Sequence, residues 1–421
     1  MPSTSAIVLR HAFQNKHKHI ASYLTKGTNA LQNQVMNPFD CALCISENEK
    51  LLLVADYSNH RVLILKLPSG ELVNHIDNVM YPHGLCVDRE TFHQSEGSEI
   101  LEFKKTFLVS DCLEHVVKRF DIDSGKLLQK IGKGFGTENG YFDRPTGMCI
   151  DKSTGRLYVT DYGNNRIQIF HLHNGEFISS FGQHLRVMDV ISSTSSETTT
   201  QLNGPFGIAI DYVYHHSSNV HIDEISTNPS HTTVETPNML SESPSQLYTF
   251  IYVSDSKSHT VKLFDNEGNY IGDAISNVKT LSSSQLSLTQ SFLKNPYHVL
   301  IDGNHLIVSD SGNHAVKIFS KPKLSFSHST STTTTSHPNY SIAKHSTFKD
   351  VIGTNRYIYE EIPSRRILAS ACTINNEGHE LDVSSSSSTI EFNYPVGLAL
   401  DFSTGDLFVV DCGNHRIQVI R

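Results

Sequence analysis

The chain has 421 residues, 34 basic against 43 acidic, for a net charge of -9, with 38% hydrophobic and 18% charged residues. The acidic balance argues against a general affinity for nucleic acid, which needs clustered cations, and no apolar run approaches the roughly 20 residues of a membrane helix. Seven cysteines are an odd count for a disulfide framework and fit a reducing compartment. Met1 to Arg10 has no basic stretch leading into a long apolar one, so the expected location is the cytoplasm.

In chain order, residues 1–36 form an N-terminal segment whose most strand-like stretch is His19 to Leu24, HIASYL. One unit then recurs six times between residues 37 and 421. Its core reads LLVADYSNHRVLIL, FLVSDCLEHVVKRF, LYVTDYGNNRIQIF, IYVSDSKSHTVKLF, LIVSDSGNHAVKIF and LFVVDCGNHRIQVI, which places an aspartate at Asp56, Asp111, Asp161, Asp255, Asp310 and Asp411. Ahead of the cores stand YPHGLCVD (81–88), RPTGMCID (144–151), GPFGIAID (204–211), NPYHVLID (295–302) and YPVGLALD (394–401). The first unit has NPFDCALCIS (37–46) instead; counting back from Asp56 aligns Ala42 with Gly147 and leaves its proline two places early.

RLYVTD and RIQIFH are short, rich in β-branched and aromatic residues, and bounded by Gly, Asn and Asp, which reads as strands. GEFISSF follows the hairpin signal His173-Asn174-Gly175. With GMCID this makes four strands per unit. A period of about 45–55 residues, once two long gaps are set aside, suits a propeller blade. Six blades closed in a ring bury their sheet faces and leave only short edges. The predicted fold is therefore all-β, a six-bladed β-propeller of four-stranded antiparallel blades. The chain ends after the third strand of the sixth unit, so His19 to Leu24 is predicted to supply the missing strand, with Ile7 to Leu9 as a rival. Ser/Thr-rich insertions near 185–200, 213–247 and 321–390 bury too little apolar surface to offset chain entropy and are expected to be mobile loops.

The phrases P-x-G-[aliphatic]-x-[aliphatic]-D and V-[ST]-D-x-G-N-[HN]-R-[IV]-x-[aliphatic]-F resemble the NHL-repeat family over roughly Asn37 to Arg421. The resemblance implies a six-bladed propeller that serves as a recognition platform. In tripartite-motif and related ubiquitin ligases such a propeller holds substrate proteins or RNA, and a propeller of similar form is the catalytic domain of the peptide-amidating lyase. No RING-like ladder of Cys and His precedes the repeats, so ligase activity is not carried over.

An aspartate repeated in every unit is what a scaffold needs. Its carboxylate can accept from following backbone N–H groups and shape a turn with Asn59, Asn164, Asn313 and Asn414, while Arg61, Arg166 and Arg416 pair with an aspartate. A second set, Asp88, Asp151, Asp211, Asp302 and Asp401, is expected to make Asx-type turns. Four residues after the first set stand His60, His115, Asn165, His259, His314 and His415, in the loop that reaches one rim. They are expected to pack on the adjacent blade. Together with Arg61, Arg166 and Arg416, and with the funnel around the axis, they form the candidate contact surface. Equivalent positions diverge around a ring, whereas a metal needs imidazoles converging to about 2.0–2.1 Å, so no metal is expected. Cys41 and Cys44, three apart in a strand, should point to opposite faces.

His83 and His298 flank the glycine position of two first strands. Without a nearby carboxylate they make a thin case for a metal-dependent lyase or lactonase. Lys118, Arg119, Lys126, Lys130 and Lys133, with Lys104 and Lys105 nearby, form a basic stretch. Strand alternation scatters it over both faces, which disfavours RNA. The sequence thus reads as a non-catalytic, monomeric protein-binding platform without cofactor. The alternative is a substrate-recognition component associated with ubiquitin-ligase machinery.

Overall fold

Each repeat core forms the middle of a four-stranded antiparallel sheet in the computed structural model, which describes residues 19–23, 34–46, 48–94, 101–182, 201–215, 246–276, 292–327, 339–352 and 390–421. Strand β1 (His19–Tyr23) comes first. Blade one is β2 (Pro38–Ile45), β3 (Lys50–Asp56), β4 (Arg61–Lys66) and β5 (Glu71–Ile76). Blade two is β6 (Pro82–Gln94), β7 (Leu101–Asp111), β8 (Val116–Asp121) and β9 (Leu127–Ile131). Blade three is β10 (Pro145–Asp151), β11 (Arg156–Asp161), β12 (Arg166–His171) and β13 (Phe177–Phe181). Blade four is β14 (Pro205–His215), β15 (Gln246–Asp255), β16 (Thr260–Asp265) and β17 (Tyr270–Ile275).

Blade five begins with β18 (Pro296–Asp302), β19 (His305–Asp310) and β20 (Ala315–Ser320). A separate hairpin of β21 (Lys323–Ser327) and β22 (Asn339–Lys344) intervenes before its outer strand β23 (Phe348–Ile352). The stretch 321–390 therefore carries ordered strands where its Ser/Thr content suggests a loop. The tracts at 191–200, 217–245, 328–338 and 384–388, and Ile7 to Leu9, lie outside the described residues. Blade six is β24 (Pro395–Asp401), β25 (Asp406–Asp411) and β26 (Arg416–Ile420), completed by β1.

The second and third strands are apolar on both sides because each blade is covered on both faces. In β3, Leu52 and Val54 join Phe408 and Val410 of blade six, while Leu53 and Ala55 join Phe107 and Val109 of blade two. Cys41 belongs to the first of these cores and Cys44 to the second, so the two thiols occupy opposite faces as their spacing predicts. Six such clusters fill the six interfaces between neighbouring blades.

The ladder corrects the alignment of the first unit. Pro38 pairs with Asp56 just as Pro145 pairs with Asp161, and Cys41 pairs with Val54 as Met148 does with Val159. Asp40, not Ala42, occupies the glycine position, and the additional pair Ile45↔Lys50 lengthens the β2–β3 hairpin. Counting residues cannot tell which end of a strand holds an extra pair; hydrogen-bond register can.

The ring closes through β1. It runs antiparallel to β26, with Ala21 opposite Val419 and Tyr23 opposite Ile417. Tyr23 also donates its hydroxyl to Pro68 O at 2.9 Å and lies over Gly70, where a Cβ would approach the ring to 2.5 Å. Removing residues 1–24 is expected to expose β26 as an open edge. Amide hydrogen exchange of β26 then accelerates while β12 in blade three stays protected; unchanged protection of β26 would contradict closure by this strand.

Candidate functional site

Geometry at the loop face begins with the six repeat aspartates, all fully buried. Each accepts the backbone N–H of the residue two places before its own blade's first proline: Met36, Met80, Asp143, Asn203, Lys294 and Asn393. The distances are 2.6–2.8 Å. In three blades an arginine five residues on completes the charge: Arg61, Arg166 and Arg416 hold Asp56, Asp161 and Asp411 at 2.7–2.8 Å through Nε. In the other three the cation comes from seven residues on. Lys118 and Lys317 bind Asp111 and Asp310 at 2.8 and 2.7 Å, and Lys262 lies 3.8 Å from Asp255.

Positions two apart in a strand share a face, so either supplies the same ion pair. Sequence reading found the arginines and missed the lysines, whose signal was a Val-Lys pair (Val117-Lys118, Val261-Lys262, Val316-Lys317) in the blades lacking the arginine. The donors also differ from expectation. Among the described residues, following amides serve Asp111 alone, through Leu113 and Glu114, in addition to the linker amide that all six aspartates accept. Blade four is the weakest copy, since Asp255 Oδ2 has no hydrogen-bond partner and burial pushes its carboxyl up to about 6. The first-strand aspartates Asp151 and Asp401 make the expected turns, accepting from Ser153 N and Ser403 N at 2.9 Å.

Each rim residue of the loop between second and third strands is left-handed, with φ of 53–59°. His and Asn tolerate that region better than most side chains, and their rings or amides bond the next blade. His60 Nδ1 accepts from Tyr81 N (3.3 Å), His115 from Arg144 N (3.0 Å), His259 from Asn295 N (3.0 Å) and His314 from Tyr394 N (3.0 Å). Asn165 Oδ1 takes Gly204 N at 2.8 Å, and His415 Nδ1 takes Asn37 N at 2.9 Å. The last of these joins blade six to blade one, a second closure beside β1. The six His and Asn rim residues therefore bridge neighbouring blades, whereas Arg61, Arg166 and Arg416 hold the aspartate of their own blade.

At the axis, the residue after the first-strand proline lines a central cavity in five blades, as Phe39, His83, Phe206, Tyr297 and Val396, while Thr146 in blade three bonds Thr160 at 2.7 Å. Behind it comes Gly84, Gly147, Gly207 or Gly397, or Asp40 or His298. Gly147 lies so close to the next blade that a Cβ would meet Phe206 O at 2.3 Å, which explains the glycine without any unusual φ. Asp40 and His298 instead reach across to the next blade, accepting Leu85 N (2.8 Å) and Leu398 N (3.4 Å). They meet each other at 3.4 Å, so His298 does have the carboxylate that the first-unit misalignment hid.

Rings close the axis. His83 contacts Phe39 at 4.3 Å and Phe206 at 4.8 Å, and Phe206 stacks on Tyr297 at 4.0 Å. The cavity left among them measures about 20 Å³, room for about one water. Burial lowers His83 to about 3 and pushes Cys86 up to about 12, so neither is poised for acid–base or nucleophilic work near neutrality. Among the described residues no group of three His, Cys, Asp or Glu gathers to hold a metal.

The basic stretch does not form a face. Lys118 and Arg119 are buried, Lys105 pairs with Glu49 at 3.3 Å and Lys130 with Glu114 at 2.8 Å. Among the described residues no helix is long and apolar enough to cross a membrane.

The repeated ion pair, the left-handed bridge to the next blade and the four-stranded sheet define a six-bladed propeller built from one motif. The NHL repeat family matches residues 142–170 and 392–420, in blades three and six. The chain is an NHL-repeat propeller. It is 30% identical to peptidylglycine alpha-amidating monooxygenase of Rattus norvegicus over 168 residues, 38% of this chain and 14% of that protein. It is also 30% identical to peptidyl-glycine alpha-amidating monooxygenase A of Xenopus laevis over 139 residues, 32% and 12% of the two chains. This chain thus matches only a small part of those proteins' length. A solved hydrazine synthase of Kuenenia stuttgartiensis aligns with 94% of this chain and 98% of its own at 12% identity, with a TM-score of 0.44.

Arg166→Ala leaves Asp161 buried without its cation and is expected to cost about 3 kcal/mol in denaturant unfolding. Asp255 behaves oppositely. The folded chain retains its proton between pH 3.8 and about 6, so the stability associated with the raised pKa is lost as pH rises through that window. Asp255→Asn should therefore stabilise by up to about 3 kcal/mol at pH 7.5 and by little at pH 4. For His83, the unfolded chain takes up a proton below about pH 6.5 that the folded chain refuses. Wild-type stability then falls by about 1.4 kcal/mol per pH unit from this group as pH drops from 6.5 toward 3, a slope that His83→Phe removes.

Proposed function

We propose that this chain is a non-catalytic, cytoplasmic and monomeric platform that docks a protein partner on the loop face of blades one to three. One observation carries the reading: an apolar arc that the repeat does not require. Met36 and Met80 are exposed two places before Pro38 and Pro82, where the other blades have Asp143, Asn203, Lys294 and Asn393. Leu113, 52% exposed, stands two after Asp111, where the other blades have Ser58, Gly163, Lys257, Gly312 and Gly413. Phe135, 69% exposed, lies in the linker into blade three.

Met80, Leu113 and Phe135 cluster about one turn. Leu113 N donates to Met80 O at 3.4 Å, and Phe135 meets the His115 ring at 5.0 Å. Isolated exposed apolar side chains are ordinary, whereas a contiguous set marks an interaction surface. Membership of a ubiquitin-ligase assembly would be one case of such a platform, supported by co-purification with a RING-bearing chain. A second reading, a metal-dependent lyase or lactonase, is favoured by the Asp40–His298 pair alone; stoichiometric zinc or calcium in the purified protein would prefer it.

The test is affinity capture with wild type and with a Leu113→Asp, Phe135→Asp double variant. Stability should stay within about 0.5 kcal/mol because both side chains are exposed, while recovery of the partner falls by about tenfold or more. Equal recovery at equal stability would remove this face from consideration.

A further inference from the structure

A cleft between blades four and five has properties that the platform reading does not use. Its volume is about 480 Å³, within the range of small-molecule sites. Lys321, Lys323, Lys344 and Lys349 line it, facing a single acidic side chain, Asp211. Lys321 takes that carboxylate at 2.7 Å. Among the described residues Lys323, Lys344 and Lys349 have no ion-pair partner. His345 also borders the cleft, its Nδ1 3.0 Å from Asp273 O.

The lysines are placed against electrostatic preference. Lys323 of β21 and Lys344 of β22 sit directly opposite each other in the ladder, and like charges in that relation destabilise a strand pair. The hairpin that carries them is not part of any blade, so the propeller does not need it for closure. An anion between the two strands' cations would turn the repulsion into attraction.

The floor adds an independent observation. Tyr252 is 1% exposed and lines the cleft, yet its hydroxyl makes no hydrogen bond among the described residues. The hydroxyl opens to the cleft while the ring behind it is buried, and burial together with Asp211 raises its pKa far above the ordinary phenol value, keeping it a donor. Asn304, Ser320 and Thr347 supply further polar groups around it.

We propose that this cleft binds a small phosphorylated ligand, a phosphomonoester whose dianion sits between Lys323, Lys344 and Lys349 and accepts from the Tyr252 hydroxyl. Lysines act on phosphate as point charges and need no planar bidentate geometry, which suits ammonium groups arriving from three strands, β21, β22 and β23. The volume accommodates a sugar or nucleoside attached to the phosphate. A bare phosphate ion satisfies the same chemistry and leaves that space to water.

Calorimetric titration of the full chain with adenosine monophosphate and with inorganic phosphate, at constant ionic strength set with potassium chloride, tests the assignment. Saturable binding of adenosine monophosphate is expected. The Lys323→Gln, Lys344→Gln variant should bind about tenfold more weakly or worse, from the loss of two charge-assisted contacts. The same variant without ligand should melt no lower than wild type, because the opposed charges are gone. Equal affinity for phosphate and adenosine monophosphate supports the phosphate contact with the ion itself as the source. A phosphoserine peptide that binds more tightly than either small ligand would overturn the small-molecule assignment. Absence of binding, or equal affinity in the variant, would overturn the site.

Discussion

A carboxylate removed from water at the exit of every second strand sets the terms for the rest of the molecule. Such burial costs several kcal/mol per ion unless a cation and further donors meet it, so each blade must bring three things to one point. They are the linker amide ahead of the first strand, the turn after the second, and a cation from the third. Satisfying Asp161 fixes Asp143, Asn164, Arg166 and Gln168 together. The ion pair therefore acts as a local assembly rule, and the fold is that rule applied six times.

The turn that follows carries the rule from blade to blade. A left-handed His or Asn bends the chain into the third strand and accepts the amide of the residue before the next proline. One side chain thus does both intra-blade and inter-blade work. His415 does this for Asn37, so the first and last blades are held by the same contact as every other pair. Strand β1 adds a sheet ladder on the outer edge of blade six. Histidines that look like a ligand-facing rim in one dimension are, in three, the joints of the ring.

Scaffold and function separate along this line. What repeats in all six blades holds the ring together. What departs from the repeat in neighbouring blades, and stays exposed, is available for something else. Met36, Met80, Leu113 and Phe135 replace polar or absent equivalents on one face. The lysines of β21 and β22 stand on a hairpin that, among the described residues, no other blade has. The axis is a third departure, with Asp40 and His298 in place of glycine, but rings from blades one, two, four and five leave little space there.

The repeat itself fixed much of this in one dimension. Six Asp-centred cores, their spacing and the missing last strand were enough to specify blade number, strand pattern and closure by a strand from the N-terminal segment, because backbone pairing and buried charge impose the same local sequence each time; the choice of His19–Tyr23 over Ile7 to Leu9 is not legible there. The spacing of Cys41 and Cys44 likewise sufficed to put them on opposite faces. Other features depended on register. Residue counting put Ala42 at the glycine position, and only the hydrogen-bonded ladder, with its extra pair in blade one, moved Asp40 there and beside His298. Lys118 stands in the sequence as one member of a basic stretch and Lys317 lies outside it; only the third strand turns both onto buried aspartates. Lys323 and Lys344, 21 positions apart in sequence, became neighbours only when their hairpin paired. A linear pattern records which contacts each unit must repeat; which unrepeated side chains meet is decided by packing across blades and strands, where sequence distance carries no information.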